Sequence, residues 1–262
     1  MRHVYSFSGG KDSTAMVLMA LERGLPVDEV VFFDTGWEFP QIYDHIDLFE
    51  KKTGLKVVQL KPRVSLDYLM LERVISKGKH MGMRGYGFPW SMGRYCTREK
   101  QDQLDAYARK IGECKRYVGI AADETKRIGK NKRFKHILPL VEWGVTEKDA
   151  LEYCKKHGYH WGGLYNYFKR VSCWLCPLQS RNDLYTVFEK FPHLKQDFIN
   201  RARTLEQSRR QQKEEYIAKG EPVPDWCDKP VYVGCGHNIT MDKLLEKYEV
   251  WLQDKTALRL FE

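Results

Sequence analysis

The chain has 262 residues and carries 44 Lys or Arg against 35 Asp or Glu, a formal net charge of +9. Its 42% hydrophobic and 30% charged residues exclude a disordered chain and an integral membrane protein, since no apolar run approaches the ~20 residues that span a bilayer. We therefore expect a cytoplasmic protein with no signal peptide and no membrane partner, whose charge favours anionic partners, either nucleic acid or phosphate and sulfate ligands.

Strand-like runs alternate with helical patterns over the first 140 residues. This alternation predicts an α/β fold with a doubly wound, Rossmann-like parallel sheet. The predicted elements, in chain order, are a strand at 2–7, a helix at 13–23, a strand at 29–34, a helix at 40–52, a strand at 55–60, helices at 68–76 and 99–111, and a strand at 116–121.

The pattern changes in the second half of the chain. Thr146, followed three residues later by Asp149, is typical of a capping box that begins a helix. Residues 184–220 are polar and helical in pattern and contain no strand-like run. We therefore predict two domains, an α/β domain over residues 1–145 and a mainly helical C-terminal region over residues 146–262 that carries a cysteine site.

The strongest local signal lies between the first predicted strand and the first predicted helix, in residues 6–13 (SFSGGKDS). Gly9 and Gly10 allow backbone amides to approach an anion closely, and the following helix directs its N-terminal amides toward it. Lys11 adds a positive charge. The segment is not a Walker A loop, because Asp12 follows the Gly-Lys pair where Ser or Thr would stand. It predicts a phosphate or sulfate site at the end of the first strand, the alternative being a tight Gly-rich turn.

Four blocks of this sequence resemble motifs of one family. Residues 8–13 (SGGKDS) resemble the PP-loop of the adenine-nucleotide alpha-hydrolase-like superfamily, which includes ATP pyrophosphatases and the phosphoadenosine phosphosulfate (PAPS) reductases. Residues 34–40 (DTGWEFP), 94–100 (RYCTREK) and 119–127 (GIAADETKR) are similar to three further blocks of the PAPS reductase family, in the expected order. One departure is Ala121, which stands where the family usually has arginine.

The resemblance implies a PP-loop fold and an adenine-nucleotide site in the first domain. The nucleotide would be ATP or phosphoadenylyl sulfate, with Mg²⁺ if the chain is an ATP pyrophosphatase. Lys11 and Asp12 are implied to act in catalysis, while Lys100 and Arg127 would neutralise charge on the ligand. The implied nucleotide- or phosphate-binding residues are Ser8, Gly9, Gly10, Lys11, Asp12, Ser13, Asp34, Thr35, Gly36, Lys100, Gly119, Asp123, Glu124 and Arg127.

Cys173 and Cys176 form a C-x-x-C pair, which by itself predicts a redox pair, a metal site or two buried thiols. Some PAPS reductases hold a [4Fe-4S] cluster with a Cys-Cys pair and a later C-x-x-C. Cys96, Cys173 and Cys176 match three of those four ligands, and Thr97 stands at the fourth position. The resemblance therefore implies metal ligation by three thiolates, with one iron left open as in ATP-dependent tRNA thiolation enzymes.

The C-terminal cysteines leave a second arrangement open, in which Cys227, Cys235 or His237 completes a tetrahedral zinc or cluster site. Cys235, in the sequence Gly234-Cys235-Gly236-His237, is also similar to the C-terminal catalytic cysteine of PAPS reductases, which lies in an E-C-G-x-H context. The glutamate is missing here and the spacing to His is shorter. Cys235 is therefore a candidate nucleophile, the alternative being an ordinary surface thiol.

Two further patches have alternative interpretations. Residues 126–136 contain six Lys or Arg and no acid, and predict a loop that closes over nucleotide phosphates, binds a nucleic-acid backbone or is simply solvated. The aromatic residues Trp161, Tyr165, Tyr167 and Phe168 are suited either to stack on a base or to pack around the cysteine site.

Three functions follow from these patterns. The favoured function is a PAPS reductase-like enzyme of sulfur metabolism, in which a thiolate attacks phosphoadenylyl sulfate and a thioredoxin-like donor releases sulfite. The first alternative is an ATP pyrophosphatase that adenylates a nucleic-acid or small-molecule acceptor and transfers sulfur from a cysteine-bound iron–sulfur cluster supplied by a sulfur donor. The second is a non-catalytic module that binds nucleotides or nucleic acid.

Overall fold

The computed structural model describes residues 1–131, 136–234 and 239–259, with side chains of the last helix described up to residue 256. The chain divides into two compact units. The sheet unit comprises residues 1–63 and 97–173, and the helical unit comprises residues 64–96 and 174–262. The predicted division of the chain at residue 145 stays a prediction.

Four strands and eleven α-helices are found in the described residues. The strands are β1 Arg2–Phe7, β2 Glu29–Phe33, β3 Val57–Leu60 and β4 Cys114–Val118. The helices are α1 Lys11–Glu22, α2 Pro40–Thr53, α3 Leu66–Leu71, α4 Tyr95–Ile111, α5 Thr125–Asn131, α6 Pro139–Glu142, α7 Glu147–Lys156, α8 Leu164–Tyr167, α9 Arg181–Lys190, α10 Pro192–Ala218 and α11 Met241–Arg259. The predicted α/β class, with a mainly helical C-terminal region, is confirmed.

The strand order, β3-β2-β1-β4, positions the candidate site. All three strand pairs are parallel, with Val4 opposite Glu29, Ser6 opposite Val118 and Val30 opposite Val57. The chain builds β2 and β3 on one side of β1 and then returns to add β4 on the other side. Because strand order reverses between β1 and β4, the carboxyl ends of these two strands border the crevice where such sheets bind ligands.

The core of the sheet unit follows from its apolar runs. Four of the five residues of β2 are buried, as a parallel strand covered on both faces requires. In α1, residues 13–17 are all buried, including Ala15, Met16 and Val17. This helix packs against β1 and α7, so its first turn and the loop before it are held by surrounding structure.

Two predicted segments differ from the structure in more than their end residues. The helix predicted at 68–76 ends at Leu71, because the chain turns back on itself and pairs Val74 with Arg84 in an antiparallel bridge. The basic stretch predicted as a loop at 126–136 instead begins with helix α5. Residues 132–135 of that stretch lie outside the described residues.

The helical pattern at 184–220 is two helices rather than one. Pro192 occupies the first position of α10, where a missing backbone N–H costs nothing. The same proline cannot continue α9, which ends at Lys190, two residues earlier. α9 begins with a capping box formed by Ser180 and Asp183, which the sequence analysis did not predict. The capping box predicted at Thr146 and Asp149 is confirmed at the start of α7.

The helical unit has its own aromatic core. Phe198 of α10 packs against Phe88 and Phe188, with ring centroids 4.8 and 5.4 Å away. Tyr248 of α11 meets Phe188 at 5.5 Å. None of the helices in the described part of the chain is both long and apolar enough to cross a bilayer.

A buried histidine in α2 makes stability sensitive to acid. His45 is 3% exposed, bonds the Thr14 hydroxyl through Nε2 at 2.9 Å and stacks on Trp161, and burial lowers its pKa to about 3. An unfolded histidine binds a proton near pH 6.5, so between pH 6.5 and about 3 the unfolded state holds more protons than the native state.

We expect the free energy of unfolding to fall by up to about 1.4 kcal/mol per pH unit as pH drops from 6.5 toward 4, because of His45. The His45→Gln variant should show a flatter acid limb in urea unfolding measured at a series of pH values. The exposed His193 supplies the control, and His193→Gln should keep the wild-type slope. Equal slopes in wild type and His45→Gln would contradict this assignment.

Candidate nucleotide-binding site

The phosphate loop joins β1 to α1 and is shaped by its own serines. The Ser13 hydroxyl donates to the Gly10 carbonyl at 3.0 Å and accepts from the Ser8 amide at 3.1 Å. The Ser8 and Ser13 hydroxyls are also 3.1 Å apart. Gly9 has φ +72°, and a Cβ there would lie 2.8 Å from Ile42 Cγ2, so glycine is required. These bonds hold the loop as a compact turn before the helix.

The amino end of α1 contributes the anion-binding potential of this loop. Gly10 is the N-cap residue and has no side chain, so it supplies no capping acceptor. The Lys11 amide instead donates to the Tyr165 hydroxyl at 2.8 Å. On the other side of the turn, the indole N–H of Trp161 donates to the Gly9 carbonyl at 2.6 Å. The helix dipole and the amides at the start of α1 favour a negative ligand here.

The ammonium group of Lys11 lies among carboxylates. Its Nζ is 2.9 Å from both oxygens of Asp12 and 3.0 Å from Glu147 Oε1, and the side chain is 4% exposed. Burial raises the pKa of Asp12, Lys11 opposes this shift, and Glu147 and Glu124 add to it. Much of the charge of Lys11 is therefore balanced within the protein.

Glu124, in the segment after β4, adds a third carboxylate to Asp12 and Glu147. One ligand oxygen from each of Asp12, Glu124 and Glu147 lies within 4.8 Å of the others. Both oxygens of Glu124 accept from Arg127 Nη1 at 2.7 Å. The neighbouring Asp123 accepts from the Glu147 amide at 3.0 Å, which ties the β4 loop to the start of α7.

A second turn follows β2 and contains the predicted residues 34–36. Asp34 Oδ1 accepts from the Gly36 amide at 2.8 Å and from the Tyr43 hydroxyl at 2.7 Å. The Thr35 hydroxyl donates to Glu38 at 2.7 Å. Burial raises the pKa of Glu38, while the bond from Thr35 and the charge of Lys100 lower it.

Lys100, from α4, lies in a basic group of the sheet unit. Burial is the main cause that lowers its pKa, and the charges of Arg127 and Arg170 act in the same direction. Glu38 and Cys173 oppose the shift. Among the described residues Lys100 forms no salt bridge, and Glu38 and Cys173 are the negative groups that favour its charged form.

Gly119 explains how closely the β4 end approaches the phosphate loop. A Cβ at this position would lie 2.9 Å from the Asp12 carbonyl oxygen and 3.0 Å from Ser13 Cα. These are backbone atoms of the first turn of α1, which cannot move aside as a flexible side chain would. The predicted site residues that follow β1 and those that follow β4 are therefore adjacent.

The cysteines of the described residues differ in burial and in position. Cys96 is buried in the first turn of α4, and Cys173 and Cys176 are half-buried in the segment before α9. Cys154 is buried in α7, where burial raises the pKa of its thiol. The predicted three-thiolate metal site stays a prediction.

Two of the predicted residues, Cys235 and His237, lie outside the described residues. Cys227, the other candidate to complete the metal site, is buried beside Trp226 and Met83 in the helical unit. Burial also raises the pKa of its thiol.

Sequence reasoning missed three members of the site. Glu147 was seen only as part of a capped helix, Glu38 only as part of a motif block, and Arg170 not at all. Trp161 and Tyr165 were noted as aromatic residues, but their contact with the phosphate loop was not predicted. Each of these depends on chain segments far apart in sequence, which no local pattern reveals.

A parallel sheet with a serine- and glycine-rich anion loop at its switch point defines an α/β nucleotide-binding domain of the PP-loop type. A family model, the phosphoadenosine phosphosulfate reductase domain, matches residues 2–179. The chain belongs to this family.

The chain is also similar to several curated proteins. A protein of Methanocaldococcus jannaschii described as uncharacterised is 29% identical over 200 residues, which is 72% of this chain and 44% of the relative. The adenosine 5′-phosphosulfate reductase of Geobacillus kaustophilus is 26% identical over 69% of this chain and 76% of its own length. An uncharacterised protein of Escherichia phage 186 is 23% identical over 72% of this chain. The chain spans less than half the length of two archaeal relatives.

Proposed function

We propose that this protein is a reductase-like enzyme of sulfur metabolism that binds an adenine sulfonucleotide at the phosphate loop. The observation that carries the proposal is the loop itself, held between β1 and α1 at the switch point of the sheet. Membership of the PAPS reductase family and similarity to proteins named adenosine 5′-phosphosulfate reductase support it. We assign nucleotide binding to residues 8–13, 34–36, Lys100 and the β4 loop.

The proposed reaction is a thiol-dependent release of sulfite. The Cys235 thiolate attacks the sulfur of phosphoadenylyl sulfate, an S–S bond forms, and the bond from sulfur to the phosphate oxygen breaks with release of adenosine 3′,5′-bisphosphate. One thiol of a thioredoxin-like dithiol then attacks the Cys235 sulfur and displaces sulfite, which leaves a mixed disulfide. The second thiol breaks this disulfide, frees the Cys235 thiolate and leaves the donor as a disulfide. Lys100 and Arg127 supply positive charge for the ligand, and Glu124 orients Arg127.

The cysteines form a donor set suited to a soft metal or cluster. Cys96, Cys173 and Cys176 would hold a [4Fe-4S] cluster or zinc, since thiolates are preferred ligands of both. A bound cluster would supply a redox centre or an iron with an open coordination position. A bound zinc would supply structural support. The charge of Cys173 raises the pKa of Lys100, so a metal bound by that thiol would also change the pKa of Lys100.

The cluster of three carboxylates beside the phosphate loop favours a second candidate, an ATP pyrophosphatase that adenylates an acceptor for sulfur transfer. Asp12, Glu124 and Glu147 offer hard oxygen ligands of the kind Mg²⁺ prefers. The Lys11 ammonium already lies against Asp12 and Glu147, so Mg²⁺ would have to displace it or share these oxygens.

The two candidates are separated by their products. We expect the purified protein, kept anaerobic and given a dithiol donor, to release sulfite from phosphoadenylyl sulfate or adenosine 5′-phosphosulfate. Cys235→Ser should abolish sulfite release, and Cys114→Ser should serve as a control with activity retained. Pyrophosphate release from ATP and Mg²⁺, with no sulfite from either sulfonucleotide, would favour the pyrophosphatase and contradict the reductase.

A further inference from the structure

Two aromatic side chains hold the phosphate loop from opposite sides of its turn. The Trp161 indole donates to the Gly9 carbonyl at 2.6 Å, and the Tyr165 hydroxyl accepts from the Lys11 amide at 2.8 Å. The two rings meet edge to face, with centroids 4.8 Å apart. We call Trp161 and Tyr165 the aromatic brace. It restrains the two backbone groups that flank the N-cap residue of α1.

The backbone is strained to place the aromatic brace. Trp161 has φ +48°, and among the residues that the structure describes it is the one non-glycine residue with positive φ. Gly162 and Gly163 follow with φ +55° and +83°. A left-handed conformation is unfavourable for a bulky side chain and persists only where surrounding contacts enforce it. Here the hydrogen bond to Gly9 and the stacking on His45 enforce it.

The Tyr165 hydroxyl lies directly over the loop. A Cβ on Gly10 would be 3.2 Å from this oxygen, so a residue without a side chain gives it room. The oxygen already accepts from the Lys11 amide, which leaves the phenol's own proton to donate. Within the described part of the chain no group accepts that proton.

The surroundings keep the phenol protonated. Burial raises the pKa of Tyr165, the bond from the Lys11 amide opposes this, and the charges of Asp12, Cys154 and Glu147 raise it further. Tyr165 is therefore a hydrogen-bond donor over the working pH range, placed at the loop that the proposed function assigns to nucleotide phosphate.

We infer that Tyr165 donates its hydroxyl proton to a phosphate or sulfate oxygen of the bound nucleotide and so extends the backbone anion site by one side-chain ligand. The inference rests on the proposed function, because it needs an anionic nucleotide at residues 8–13. The same contact allows the opposite role, in which the hydroxyl occupies the Lys11 amide and must move away before a phosphate binds there.

The test is the Tyr165→Phe variant, which keeps the ring and removes the hydroxyl. Calorimetry should show that adenosine 5′-phosphosulfate binds this variant about tenfold more weakly than wild type, the value of one hydrogen bond to a charged group. Adenosine, which lacks the anion, should bind both proteins equally. Tyr68→Phe removes an exposed phenol from α3, outside the sheet unit, and should leave both affinities unchanged. Circular dichroism and thermal unfolding establish that each variant is folded.

Each result identifies the role of the Tyr165 hydroxyl. Equal or tighter binding of the phosphosulfate by Tyr165→Phe overturns the inference and, if tighter, shows that the hydroxyl blocks the loop. Equal weakening of adenosine and the phosphosulfate also overturns it, because it indicates a structural role for the phenol. A wild-type protein that binds no adenine nucleotide overturns the proposed function and this inference together. Wild-type binding with an unaffected variant overturns the inference alone.

Discussion

Replacing Gly119 by alanine is expected to weaken nucleotide binding by about 100-fold, because the added methyl group displaces the phosphate loop by a large fraction of an ångström. The Cβ would lie 2.9 Å from the Asp12 carbonyl oxygen, closer than such contacts occur in proteins. Relief requires movement of the first turn of α1 or of the β4 end. We also expect a loss of about 2 kcal/mol in the free energy of unfolding, as for other overpacked sites.

Gly129 supplies a matched control for this substitution. It lies in α5, its φ is in the ordinary range, and nothing lies within 4 Å of a Cβ built there. Gly129→Ala should therefore bind nucleotide as wild type does and gain about 0.5–1 kcal/mol in helix stability. Calorimetry with adenosine 5′-phosphosulfate and urea unfolding measure both quantities. Wild-type affinity in Gly119→Ala would show that the phosphate loop tolerates displacement and is not the binding site.

Replacing Lys11 by methionine should destabilise the protein by on the order of 2 kcal/mol at pH 7. The ammonium is 4% exposed and lies against Asp12 and Glu147, so its removal leaves carboxylates that repel one another. The loss is smaller than for a fully buried pair because Glu147 is 40% exposed. The pKa of Asp12, already raised by burial, should rise further in this variant.

The pH dependence of this variant has a definite sign. A carboxyl group with a raised native pKa binds a proton that the unfolded chain does not hold, so stability increases as pH falls through the native pKa. Lys11→Met should therefore recover stability relative to wild type as pH is lowered from 7, in urea unfolding at a series of pH values. Lys148→Met is the control, because Lys148 is 83% exposed and adjoins Glu147 in sequence. A deficit that stays constant over this pH range would contradict the repulsion.

Removal of the Lys11 charge should also separate two roles for this residue. If Lys11 acts mainly on the carboxylates, nucleotide affinity in Lys11→Met should recover together with stability when Glu147→Gln is added. If Lys11 contacts the ligand, as the sequence resemblance implies, affinity should stay low in the double variant. The structure places its ammonium with the carboxylates, so we expect the first result, in which residues 8–13 bind the nucleotide without the Lys11 ammonium.

Some features of the fold follow directly from local patterns. The strand and helix bounds near β1, α1 and β2 were predicted to within two residues, because buried apolar runs and the Gly-rich turn act over short stretches of chain. The helix predicted at 68–76 failed because its β-branched residues, Val74 and Ile75, bond to a returning segment instead. The helical pattern predicted at 184–220 is present, and Pro192 divides it into α9 and α10.

In the candidate site, too, some features follow from the local sequence and others depend on tertiary contacts. The sequence by itself determined the α/β class, the family motifs and the phosphate loop, since residues 8–13 form their turn through bonds to one another. Only the tertiary structure decided which side chains meet that loop. Glu147 bonds Lys11 from 136 positions away, and Tyr165 reaches its amide from 154 positions away. Such pairings depend on how α1 packs against its neighbours, and burial then raises the pKa values of Asp12 and Tyr165.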